Sequence, residues 1–152
     1  MKKYLYRILF FMVFALGVLR CLYIFRFLRD PLRIGSDDPS VFLSPANGII
    51  GDIVVWSGDQ TTIQKSYYPT FQSQTEAVGE SGYLINIVMN IHNVHYQRAP
   101  IESVLIDQQY VAGKFLNAVY QRTPLTAHFE NERNEMTFRT TDGMVYKVIQ
   151  IA

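Results

Sequence analysis

The chain has 152 residues, and 14 Lys and Arg against 13 Asp and Glu leave a formal net charge of +1. That balance excludes the basic footprint of a nucleic-acid binder, and 49% hydrophobic residues exclude a disordered chain. The single cysteine, Cys21, excludes an internal disulfide framework and fits a reducing compartment.

The first element is apolar. Ile8 to Leu19 carries no charge, Arg20 interrupts, and Cys21 to Phe25 resumes the apolar run. As a helix, Ile8 to Phe25 spans roughly 27 Å, against a hydrocarbon thickness of ~30 Å. Arg20 lies near the end, where its side chain can snorkel. Lys2, Lys3 and Arg7 also resemble a signal-peptide n-region, but no small-residue cleavage site follows, and Arg26, Arg29 and Arg33 come next. Residues 1–29 are therefore read as a membrane anchor whose orientation the basic flanks leave open. Residues 30–40, rich in Pro, Asp and Ser, form a linker.

Residues 41–152 read as a mainly antiparallel β domain of barrel-sandwich type, an expectation that ten Phe and ten Tyr reinforce. Gly48 to Trp56 is a β-branched apolar run, and Thr61 to Tyr68 is a shorter, more polar one. Tyr83 to Ile91 is almost continuously apolar, which predicts a strand buried on both faces. Ile101 to Val111 alternates, with Val104, Ile106 and Gln108 on one face. Phe115 to Tyr120 fits a short strand or a single helical turn. Met136–Thr140 and Met144–Ile151 flank Asp142-Gly143, a tight-turn signal for a hairpin. The last strand runs into Ala152, so an open apolar edge is expected to pair with a later segment or another polypeptide.

One histidine stands out for chemistry. His95 follows the apolar strand and precedes Arg98-Ala99-Pro100, so a rigid strand end would present a group that exchanges a proton near neutral pH. A hydrogen-bonded histidine with no chemistry fits the same position. His92 would face the other side of a strand and is read as structural. A metal site from His92, His95 and His128 is disfavoured, because His-x-x-His suits neither one helix face nor one strand face and no Cys supports it.

Five segments together carry a resemblance. The sequence Phe27-Leu28-Arg29-Asp30-Pro31-Leu32-Arg33 after an apolar N-terminus resembles the Phe-Phe-Arg-Asp-Pro signature of the phosphatidylserine decarboxylase family. Ser44-Pro45-Ala46-Asn47-Gly48 is similar to its Ser-Pro-Ala-Asp-Gly element, and Asn93 to Pro100 to its Asp-Val-His-Val-Asn-Arg-Ala-Pro element. Gly113-Lys114-Phe115-Leu116-Asn117-Ala118 and Asn131-Glu132-Arg133-Asn134 match two further blocks in the same order.

The resemblance implies a lyase of phospholipid biosynthesis, made as a zymogen, that converts phosphatidylserine to phosphatidylethanolamine. It implies self-cleavage at a Gly-Ser bond and a covalent pyruvoyl group that forms a Schiff base with the substrate amine. Under it, His95 is the base, Asn47 and Asn93 occupy acid-partner positions, and Arg98 and Lys114 are candidates for substrate binding. Read from its own residues, Arg98 pairs with a carboxylate or caps the turn, and Lys114 is a solvated turn residue.

Two departures qualify the resemblance. Asn47 and Asn93 stand where the family has Asp, and an amide orients an imidazole without stabilising its cation by charge. Gly35-Ser36, the only Gly-Ser pair, lies in the linker, ahead of the later four motifs. The expected partners are thus a phospholipid membrane, phosphatidylserine and a pyruvoyl-bearing small subunit or C-terminal segment, with this chain as the noncatalytic part at the cell membrane. The alternative is an inactive decarboxylase-like protein that binds headgroups or a partner chain.

Overall fold

In the computed structural model, residues 2–38, 40–57, 71, 74, 75, 77–116 and 128–152 are described. The expected Thr61–Tyr68 strand, and Asn117 to Tyr120, lie outside them. Helix α1 runs Lys2–Phe27, 26 residues with none buried, and is long and apolar enough to cross a membrane. Its ends lie beyond the apolar core, since Lys2, Lys3 and Arg26 are compatible with a helical backbone and the chain turns extended before Asp30-Pro31.

Two antiparallel sheets follow. β1 (Ile49–Ser57) pairs with β2 (Ser81–Val88), while β3 (Ser103–Val111), β4 (Arg133–Thr140) and β5 (Val145–Ile151) form a sheet with β4 central. No closed barrel forms among the described residues. Val54 opposes Leu84 and Trp56 opposes Gly82, and this face joins Phe71 and Phe129 in the core. Gly82 is required there: a Cβ would lie 2.7 Å from the Trp56 ring.

The expectation that β2 is buried on both faces is wrong. Tyr83 and Ile85 are exposed beside Val55 and Ile53, because only one further layer covers this two-stranded sheet among the described residues. The strand also stops at Val88 rather than Ile91. In β3 the predicted alternation breaks at a bulge between Leu105 and Asp107, so Ile106 is an inserted residue and the strand is largely exposed.

The C-terminal hairpin is as read. Gly143 adopts φ 91°, its N–H donates to the Thr140 carbonyl at 3.1 Å, and Thr140 N–H donates to Met144 O at 3.0 Å. The Thr140 hydroxyl also donates to the Asp142 carboxylate, and this bond, helped by one from the Met144 backbone, holds Asp142 below the usual carboxylate range. The inward row of β4 is polar, not apolar: Arg133, Glu135 and Thr137 are buried. Glu135 sits between Arg133 Nε at 2.7 Å and Lys147 Nζ at 3.1 Å. Asn131, fully buried, accepts from Leu116 N–H at 2.8 Å and donates to Leu116 O at 2.7 Å and Ala152 O at 2.6 Å. It thereby fastens the end of β5, an edge strand among the described residues, to the segment after β3.

Candidate functional site

β2 ends where asparagines take over the backbone bonds. Asn90 Oδ1 accepts from His92 N–H at 2.9 Å, Asn93 Oδ1 accepts from Asn90 N–H at 2.8 Å, and Asn93 N–H donates to Asn90 O at 3.0 Å. Such side-chain bonds replace a strand ladder with a turn. His92 is consequently an exposed turn residue, not one facing away across a strand as expected.

The chain then runs beside the loop preceding β1. Asn47 Oδ1 accepts from Asn93 Nδ2 at 2.9 Å and from Val94 N–H at 3.1 Å. Arg98 N–H donates to Pro45 O at 3.1 Å, and Leu43 N–H donates to Pro100 O at 3.0 Å. Val94, whose N–H makes one of these bonds, is buried.

His95 projects half-buried from the ladder. Its Nδ1 lies 3.0 Å from Asn93 O, and since a carbonyl only accepts, Nδ1 carries the hydrogen. In the neutral ring Nε2 then holds the lone pair, the tautomer of a base. One ring face is covered by Phe27, with centroids 3.7 Å apart, and Phe27 in turn stacks on Tyr23 at 4.9 Å. The last turn of α1 therefore continues as a stack of rings into the imidazole.

The structure brings Asn47, Asn93, His95 and Arg98 into one ladder and leaves Lys114 on another segment. Asn93 meets His95 through its backbone carbonyl, while the two Asn side chains engage each other. Arg98 donates from Nη2 to both oxygens of Asp30 at 2.7 Å, the carboxylate pairing read from sequence. Lys114 Nζ contacts Glu130 at 2.6 Å. Among the described residues no cluster of three or more His, Cys, Asp or Glu gathers to hold a metal.

His128 lies apart, near Asp52 at the β1 bulge. Burial pushes its imidazole below the ordinary histidine value, against the opposing pull of Asp52. Its Nε2 is buried with no hydrogen-bond partner among the described residues, which suits a neutral ring.

Sequence reasoning passed over the residues that frame His95. Arg29 Nη2 donates to His92 O at 2.9 Å, and Arg33 Nη2 to Tyr96 O at 2.6 Å. Both belong to the signature segment after the helix, and its paired arginines were the available signal.

The class is thus an antiparallel β domain joined to a membrane-length helix, with an oriented imidazole where the two meet. The sequence pattern of the phosphatidylserine decarboxylase family matches residues 22–152. The phosphatidylserine decarboxylase proenzyme of Geobacter metallireducens is 32% identical over 143 residues, 94% of this chain and 56% of its own length. That of Ralstonia nicotianae is 31% identical, covering 86% of this chain and 51% of its own length. That of Solidesulfovibrio magneticus is 27% identical, covering 91% and 55%. The chain belongs to the phosphatidylserine decarboxylase family. It spans about half the length of these curated relatives.

Proposed function

We propose that this chain supplies the noncatalytic part of a membrane-bound phosphatidylserine decarboxylase, with His95 as its proton-transfer base. The observation that carries this reading is the Nδ1 bond to Asn93 O, which leaves Nε2 as acceptor on a half-buried ring within the family-matched region. A pyruvoyl group, contributed by a segment beyond this chain's motifs, would supply the electron sink for loss of carbon dioxide. The residues here fit such a group in one respect: the Nδ1 bond to Asn93 O leaves Nε2 as the ring's acceptor for a hydroxyl from another segment.

The roles of the other residues follow. Asn93 orients the ring through its carbonyl, and Asn47 holds Asn93 and Val94 in place. Arg98 is a headgroup ligand only after exchanging Asp30 for a substrate carboxylate or phosphate, an exchange its half-exposed side chain permits. Lys114 would have to leave Glu130 in the same way. α1 keeps the domain at the surface from which the acylated substrate is drawn.

The test is to isolate the native complex from membranes and examine it by mass spectrometry, while measuring conversion of phosphatidylserine to phosphatidylethanolamine. A second, pyruvoyl-blocked peptide and an activity abolished by His95→Gln are expected. Absence of that peptide together with activity unchanged in His95→Gln refutes the reading. A second reading, an inactive headgroup-binding relative, is favoured by the mutual Asn47–Asn93 bond, which commits both side chains away from the imidazole. It predicts phosphatidylserine binding with no ethanolamine lipid formed.

A further inference from the structure

We infer that Leu28–Ile34 is a two-faced strap that lies in the lipid headgroup layer and sets the depth of the His95 loop. This rests on reading α1 as a membrane helix and is independent of the role given to His95. The segment leaves the helix at Phe27 and runs extended. Phe27, Arg29 and Arg33 are half-buried and face the protein, whereas Leu28, Leu32 and Ile34 face outward. Leu32 is 96% exposed and Ile34 93% exposed.

The inward face grips one loop at three places. Arg29 bonds His92 O, Arg33 bonds Tyr96 O, and Asp30 takes the Arg98 guanidinium. These contacts bracket His95, whose ring lies against the final residue of the helix. Two of the bonds go to backbone carbonyls, so they fix the path of the loop whatever side chains it carries.

The outward face requires an apolar neighbour. Continuity with α1 identifies it as the bilayer: the strap begins where an unburied, membrane-length helix ends. Exposed Tyr23, stacked on Phe27, marks that end with a residue typical of an interface. Exposed Arg26 complements anionic headgroups at the same level. Membrane insertion and orientation of the loop are thus coupled through Arg29 and Arg33, which are positioning residues.

Depth-dependent quenching tests this with the full chain reconstituted into phosphatidylcholine–phosphatidylglycerol vesicles. Doxyl spin labels are placed near the headgroup or deep in the acyl chains, and an environment-sensitive fluorophore is attached to native Cys21. In Cys21→Ser backgrounds it is attached instead at Leu32→Cys, Tyr96→Cys or Ser36→Cys. Probes at Leu32 and Tyr96 should be quenched several-fold more by the shallow label than by the deep one, and the Ser36 probe by neither.

Combined Arg29→Ala and Arg33→Ala should abolish quenching at Tyr96 and spare it at Leu32. Arg33→Lys, restored into that double variant, should recover part of the Tyr96 signal, with Trp56 fluorescence reporting an intact core. Quenching at Cys21 with none at Leu32 overturns the strap alone, including the case where a blue-shifted Leu32 probe reveals a protein cover. No quenching at either site overturns the membrane reading and the strap with it. A Tyr96 signal unmoved by the arginine changes overturns the coupling.

Discussion

Restoring aspartate at positions 47 and 93 gives a test of the site that does not require activity. Asn47 Oδ1 receives two donors, Asn93 Nδ2 at 2.9 Å and Val94 N–H at 3.1 Å. Asn47→Asp keeps both bonds and makes them charge-assisted, so it should be neutral or stabilise by up to about 1 kcal/mol at an exposed position. Asn93→Asp keeps the Asn90 N–H bond but turns its other oxygen toward Asn47 Oδ1. Flipping the Asn47 amide would cure that clash only by facing Val94 N–H with a second donor. A cost of about 1–3 kcal/mol is expected.

With both aspartates present, two carboxylates meet at the former amide–carbonyl separation of 2.9 Å. Coulomb repulsion there is about 1.4 kcal/mol at the dielectric of water and about 6 kcal/mol at an effective value of 20. Exposure of Asn47 puts the expected coupling near the lower figure. Urea unfolding in detergent micelles, followed by the single Trp56, gives the double-mutant cycle. The coupling should be unfavourable and fade as the pH falls and one carboxyl takes up a proton. Additivity within about 0.5 kcal/mol at neutral pH would refute the geometry.

Three further outcomes are expected. Glu135→Gln leaves the Arg133 guanidinium buried without this carboxylate and should cost about 3–5 kcal/mol in the same unfolding assay. The His128 imidazole has a folded-state value below its unfolded value of 6.5, so the unfolded chain binds the extra proton. Stability should be full above that pH, decline as pH falls below it, and level off beneath the folded value, and His128→Gln should flatten this slope in urea titrations across pH. Gly82→Val drives a side chain into the Trp56 ring and should destabilise by about 1–3 kcal/mol with a shifted Trp56 emission.

The helix, the strand segments Gly48–Trp56 and Ile101–Val111, and the hairpin at Asp142-Gly143 were legible because each depends on local signals. An uncharged run, β-branched stretches and a glycine at positive φ act on their own neighbourhood. Burial was less legible. Apolar Tyr83 and Ile85 are exposed, and charged Arg133 and Glu135 are buried, because hydrophobicity does not reveal how many layers cover a strand or that Lys147 on β5 waits beside Glu135. The candidate base was visible as a residue, and its framing was not. Arg29 and His92 are separated by 63 residues, so nothing local signals their bond.

The sequence by itself determined a membrane-length helix, an antiparallel β domain and membership in the decarboxylase family, since periodicity, turn chemistry and motif order are written along the chain. Only the tertiary structure decided that Asn47 engages Asn93 instead of His95, that the imidazole leans on the helix end, and that arginines fasten its loop. Those outcomes depend on distances between remote segments, and such distances exist only once the backbone has folded.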